Sequence, residues 1–292
     1  MSGKLIGLII LILIAIGLFV PLGSSSTNGD NSIAVTYGET TYNNPEYKEM
    51  VDNYFKENGN VNLDNADETI ITSNDVNRIS SGISQRTYNS DQIFSCAMVD
   101  LRGNNNIKID VDSRITTVTA SMYKSALDSA GIKKGHVIVT SPVTATGESA
   151  LAGIMKAYET ATGQLIPEEV KNAANNEIYT QSEVVNNTNL SADDVAKLVD
   201  EAKDEVAKEN TTDKQTIINI INNIAINNNI QISGDDINNL ADSIQQTQSV
   251  QDQANQYQSQ VSDYINSEDA QNIFDMIWRT IQSVIDNYLP QN

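Results

Sequence analysis

Hydrophobic and polar positions follow three different rhythms along the chain. The first stretch, Leu5 through Leu22, is uncharged and made almost wholly of Leu, Ile, Val, Phe, Ala and Gly, with no polar face. As a helix of about 18 residues at about 1.5 Å each it would rise roughly 27 Å, close to the hydrocarbon thickness of a bilayer. Lys4 is the only side-chain cation before Lys48, so the positive-inside bias puts the N-terminus in the cytoplasm and everything after Gly23 outside. Two readings stand. The length favours a retained anchor, and no A-x-A pattern follows; but Gly23-Ser24-Ser25-Ser26 is small enough for signal-peptide cleavage, which would release a secreted protein. Residues 24–32 read as a flexible polar linker.

The second stretch, from Ile33 to about Gly163, mixes strand and helix periods. Ile33 to Tyr37 is a strand candidate, and Pro45 to Phe55 a helix with Tyr47, Met50, Val51 and Tyr54 on one face. Thr69 to Thr72 is again strand-like, with Ser73 or Asn74 capping a turn of helix through Val76 and Ile79. Gln92 to Leu101 and Asn106 to Val111 flank Arg102-Gly103-Asn104-Asn105, which signals a hairpin. Thr119 opens a helix that ends at Gly131, His136 to Thr140 is a strand, and a helix runs from about Gly147 to Thr160.

Beyond Pro167 only the helical period remains. Ser191 caps a helix carrying Val195, Leu198, Val199, Ala202 and Val206, and Thr212 restarts one with Ile217, Ile220, Ile221 and Ile224. Ser233 caps a third, which the spacing of Ile237, Leu240, Ile244, Ala254, Tyr257, Val261 and Tyr264 extends into one long helix lying on a partner. Ser267 caps a last one bearing Phe274, Ile277, Trp278 and Ile281; with Asp275 and Asp286 beside only Arg279, its apolar face suits neighbouring helices better than an anionic membrane. The expectation is therefore an α+β fold class: residues 1–23 a signal peptide or transmembrane anchor, 24–32 a linker, 33–163 a small mixed α/β domain, and 164–292 an all-helical domain.

Charge narrows the function. The 292 residues hold 38 Asp and Glu against 18 Lys and Arg, a formal −20, which repels phosphate backbones and disfavours nucleic acid. A single Cys excludes an internal disulfide, and with a single His it excludes the Cys/His zinc sites. Within its apolar surroundings Cys96 reads as a small buried hydrophobe. The sequons at Asn186, Asn189 and Asn210 would be usable outside the cell, but in so Asn-rich a chain some sequons must arise by chance, so they confirm nothing.

The run from Val137 to Glu159, V-I-V-T-S-P-V-T-A-T-G-E-S-A-L-A-G-I-M-K-A-Y-E, resembles the signature of the DUF1002 family of predicted secreted proteins. A strand ends there in a Thr-Ser-Pro turn, and a small-residue helix ending in Lys-Ala-Tyr-Glu follows. Val35-Thr36-Tyr37-Gly38 and the helix end at Ala130-Gly131-Ile132 are similar to the family as well. The likeness extends over roughly residues 33 to 285 and is strongest over 119 to 160. It implies a cell-envelope setting and brings no catalytic residue and no cofactor.

The most site-like segment is the strand, small-residue loop and helix start around Ser141, Thr144, Thr146, Gly147, Glu148 and Ser149. Free N–H groups and the helix dipole there could hold an anion or a carbonyl oxygen. The competing reading is close packing, with Gly147, Ala150, Ala152 and Gly153 letting a helix approach the sheet while Thr146 caps it. Neither a G-x-S-x-G elbow nor a P-loop Lys is present. His136 begins a strand whose other end carries the loop, so a serine triad does not assemble. Asp110 and Asp112, two apart on a strand, share a face and are candidate Ca²⁺ ligands, or form a solvated face paired with Asp100 and Arg102 on the facing strand. Lys197 with Glu201 and Asp204 with Lys208 are i,i+4 pairs on a solvated helix face. The expectation is a non-catalytic, membrane-anchored extracytoplasmic protein that binds an envelope protein or glycan; the alternative is an envelope hydrolase or small-ligand protein using the Ser141–Ser149 turn.

Overall fold

The computed structural model of the protein describes residues 32–80, 87–102 and 106–266. The Leu5–Leu22 segment, most of the linker, the Gly103–Asn105 turn and the helix expected after Ser267 lie outside them. Among the described residues are five strands: β1 Ile33–Gly38, β2 Asp67–Ile71, β3 Cys96–Asp100, β4 Lys108–Val111 and β5 His136–Thr140. They form one sheet in the order β2-β1-β3-β5-β4. β1 runs parallel to β2 and β5 parallel to β4, whereas β3 is antiparallel to both β1 and β5.

That order corrects the hairpin expectation, because β3 and β4 do not pair: β5 lies between them. The physical reason lies in the strands themselves. His136-Val-Ile-Val-Thr140 is nearly continuous in apolar residues and buried along most of its length, which suits a strand covered on both faces. Lys108-Ile-Asp-Val111 alternates, is short and carries charge, the composition of an edge strand.

Ten helices surround the sheet among the described residues: α1 Glu39–Tyr42, α2 Pro45–Gly59, α3 Ser73–Ser80, α4 Ala120–Ser129, α5 Glu148–Thr162, α6 Glu168–Asn187, α7 Ala192–Glu209, α8 Lys214–Asn227, α9 Gly234–Ser249 and α10 Gln251–Asn266. Helix α2 begins at Asn44, whose side chain accepts from the N–H groups of Glu46 and Tyr47, with Pro45 in the first position where its missing N–H costs nothing. Its Val51 and Phe55 bury against Val35, Tyr37, Met98 and Ile138 on one sheet face. Full burial of a side chain such as Phe55 contributes roughly 1.5–3 kcal/mol. The opposite face, with Ala34, Ala97, Val99, Val137 and Val139, is covered by α5, and the same apolar cluster continues through α4 and α6 to Ala254 and Tyr257 of α10. A second cluster joins α7, α8 and α9 through Leu198, Ile217, Ile221 and Leu240.

Several local expectations shift. Thr72 rather than Ser73 or Asn74 opens α3: its hydroxyl accepts from Asp75 N–H while the Asp75 carboxylate accepts from Thr72 N–H. Asp213 rather than Thr212 caps α8. The long helix expected beyond Ser233 breaks at Val250 into α9 and α10. The two halves serve different cores, since Leu240 and Ile244 pack with α7 and α8 whereas Val250 and Ala254 pack with the sheet-side cluster. Lys197 does reach Glu201, at 3.8 Å, but Lys208 pairs with Glu205 at 3.1 Å rather than with Asp204. Helix α6, the longest at 20 residues, was legible only as part of a helical half. No helix among the described residues is long and apolar enough to cross a membrane.

Candidate functional site

Strands β1, β2, β4 and β5 all run the same way, so their C-terminal ends share one edge of the sheet, where α/β folds commonly place ligands. The Ser141–Ser149 segment leaves β5 at that edge. Its backbone is taken up by the loop after β4: Ala145 N–H donates to Arg114 O at 3.0 Å, and Thr116 and Val118 N–H donate to Ala145 O and Thr146 O at 2.9 and 3.0 Å. Gly147 sits at φ 105°, a left-handed conformation, and a Cβ there would meet Ile115 Cγ2 at 2.6 Å and the Tyr123 hydroxyl oxygen at 2.8 Å. The Tyr123 hydroxyl donates to Gly147 O at 2.6 Å.

These contacts tie the loop down without forming an open cradle. Thr144 and Thr146 face solvent, Ser149 is half-buried, and Ser141, Gly147 and Glu148 are buried, so the six candidate residues do not line one surface. Thr146 is not the cap expected for α5; Gly147 takes that position without a side-chain hydrogen bond. Glu148 lies in the first turn of α5 and is buried there. Gly153 approaches Thr36 Cγ2 within 3.5 Å of where its own Cβ would stand, as close helix–sheet packing requires.

Asp110 and Asp112 do share the α2-facing side of the sheet, but each is engaged by a different cation. Asp110 meets Lys108 at 2.5 Å and His136 Nε2 at 2.7 Å. Burial opposes its ionisation, and the hydrogen bonds from Lys108 and His136 outweigh burial and hold the carboxyl below its ordinary range. Asp112 is buried, paired with Arg114, and accepts from Thr140 at 2.5 Å. Arg114 in turn lies over the Tyr54 ring, 5.4 Å from its centre. Asp100 holds Arg102, two residues on, through both carboxylate oxygens. Among the described residues no group of three or more His, Cys, Asp or Glu gathers as a metal site. Cys96 is buried as expected; burial pushes its thiol up to about 12, which leaves little thiolate for chemistry at neutral pH.

The most developed polar cluster was not singled out from the sequence. Glu177 of α6 is 1% exposed and faces Lys203 of α7, whose Nζ lies 2.8 Å from Glu177 Oε1, 2.8 Å from Ser125 Oγ and 3.0 Å from Ser129 Oγ, both serines on α4. Ser129 donates to Glu177 Oε2 at 2.6 Å, Ser125 lies 2.7 Å from Oε1, and Thr247 of α9 approaches Oε2 at 3.4 Å. Asp200 adds a second carboxylate 3.3 Å from the ammonium. Desolvation pushes Glu177 up, but the charge and hydrogen bond of Lys203 and the two serine hydroxyls bring it below its ordinary value. A serine–lysine pair works as nucleophile and base only when the amine is neutral; here two carboxylates bind the ammonium form. The cluster acts as a clamp that joins four helices. Its signal in the sequence was a charged residue on the buried stripe of α6, between Ala173, Ala174 and Ile178.

The model of the family described as a protein of unknown function, DUF1002, matches residues 37–264. The uncharacterized protein YpuA of Bacillus subtilis (strain 168) is 27% identical over 237 residues, which cover 76% of this chain and 81% of that protein. No solved structure matches the chain.

Proposed function

Since the chain belongs to the DUF1002 family, whose function is undefined, we propose from its own layout that it is a membrane-anchored, non-catalytic binding protein of the cell envelope. The observation that carries this reading is the uncharged run from Leu5 to Leu22, preceded by Lys4 and followed by a polar linker and an acidic folded body. The body supports it. Two of its buried carboxylates are paired with cations within the fold, Glu177 with Lys203 and Asp112 with Arg114, and its one thiol is buried. Side chains arranged this way hold a rigid platform that presents an acidic, amide-rich surface to another envelope protein or glycan.

The topology is tested by labelling. Ser25→Cys places a thiol in the linker, while Cys96 stays out of reach of a membrane-impermeant maleimide. Intact cells should label at position 25, and the protein should remain in the membrane pellet after carbonate extraction. Labelling only after lysis would overturn the address, and a mature N-terminus at Ser24 or beyond would replace anchoring with secretion. A pull-down from detergent-solubilised membranes that returns nothing above a tag-only control would count against the binding role.

A further inference from the structure

Helices α6 and α9 pack antiparallel in a register fixed by three contacts. Asn176 Nδ2 donates to Gln246 Oε1 at 2.7 Å, Thr247 reaches Glu177 at 3.4 Å, and Asn187 Nδ2 donates to Asp236 Oδ1 at 2.9 Å. One helical turn on from Glu177 is Gln181, and one turn back from Thr247 is Ser243, so the same register sets these two opposite each other. Both are buried, at 0% and 1% exposure. Gln181 Nε2 donates to Glu177 Oε1 at 3.2 Å, which orients the amide and leaves Oε1 as an acceptor; that oxygen meets no donor of the protein. Ser243 Oγ has no partner either, not even the main-chain carbonyl one turn back that buried helical serines commonly use.

We propose that the α6–α9 interface holds an internal water molecule that donates to Gln181 Oε1 and hydrogen-bonds to Ser243 Oγ. Two buried polar atoms without protein partners, opposed across one interface, are the setting in which folded proteins retain such a water. Its class follows from the groups present. The amide oxygen and the hydroxyl are neutral, and the adjacent Glu177 charge is already met by Lys203, so the site takes a small neutral donor rather than a cation. With that water in place, a continuous polar chain runs from Ser243 through Gln181 and Glu177 to Lys203 and ties α9 to α7 by way of α6.

The test is made on the full chain by magnetic relaxation dispersion of water nuclei, which detects long-lived internal waters, together with a crystal structure. The wild type should show a water within hydrogen-bond distance of both atoms. The double variant Gln181→Leu, Ser243→Ala should stay folded and lose the relaxation contribution of one internal water, while Ser243→Thr keeps it. Unchanged dispersion in the folded double variant overturns the proposal. If the double variant does not fold, the wild-type crystal structure decides: Ser243 Oγ on a main-chain carbonyl and Gln181 Oε1 on a protein donor overturns it. So does a peak with contacts shorter than hydrogen bonds and melting that depends on Na⁺.

Discussion

Lys203 Nζ stands 2.8 Å from Glu177 Oε1 at a point where α4, α6, α7 and α9 meet, and the carboxylate is almost wholly out of solvent. Removing one partner of such a pair leaves the other buried and unmatched, at a cost of about 3–5 kcal/mol. Lys203→Met should lower the stability measured by urea unfolding by about that much, and Glu177→Gln by less, because Asp200 still meets the ammonium. The double variant Glu177→Leu, Lys203→Met should recover part of the loss, because it removes both charges. Single variants that unfold like the wild type would show that the pair contributes little.

The same pair sets a pH dependence. A carboxyl whose value in the folded protein is depressed contributes stability above its unfolded value and loses it as the pH falls through the folded one. Glu177, Asp110 and Asp112 are all depressed, so unfolding free energy should fall as the solution is taken below about pH 5. Glu177→Gln should flatten that slope. An identical slope in the variant would place the acid sensitivity elsewhere.

Gly131 lies at φ 74°, and a Cβ added there would come within 2.2 Å of Ala254 O on α10. Both the backbone conformation and the contact oppose any larger residue. Gly131→Ala should cost at least about 1 kcal/mol, and the loss should appear as faster amide exchange in α10 than in the sheet. Uniform protection across the two would sink the assignment of α10 as docked through this glycine.

Cys96 accepts a hydrogen bond from Gly38 N–H at 3.4 Å and is enclosed by the α2-side core. Native protein should resist thiol reagents at pH 8 and react at once in denaturant. Rapid native modification would mean that the β1–β3 pairing opens readily.

How much of this was readable beforehand depends on range. Each strand among the described residues overlaps an alternating or apolar run, although β2 begins at Asp67 rather than Thr69 and β3 at Cys96 rather than Gln92, and Thr119, Ser191 and Ser233 cap the helices expected to start at them, because those signals are local. Strand partnership is not local. Nothing in Arg102-Gly103-Asn104-Asn105 could show that a strand thirty residues later would separate β3 from β4. The Ser141–Ser149 segment reads as a site because small residues suit both a cradle and close packing; that Thr116 and Val118 donate to its backbone is a contact between distant residues which no local pattern shows. Glu177 is not legible for a similar reason, since its counter-ion lies 26 residues away on another helix.

The insertion of β5 between β3 and β4 also dictates an order of events. β1 gains its first sheet neighbour with β2, but the central rung needs β3, whose other side stays open until His136–Thr140 arrives. β4 has a sheet partner only in β5, which follows it in the chain, so no early hairpin can shelter it. Until about half of the polypeptide has been made, the sheet presents an unpaired edge with apolar faces. A holding factor that binds nascent chains would find its target in that interval, and the protein should refold slowly relative to an all-helical chain of its size.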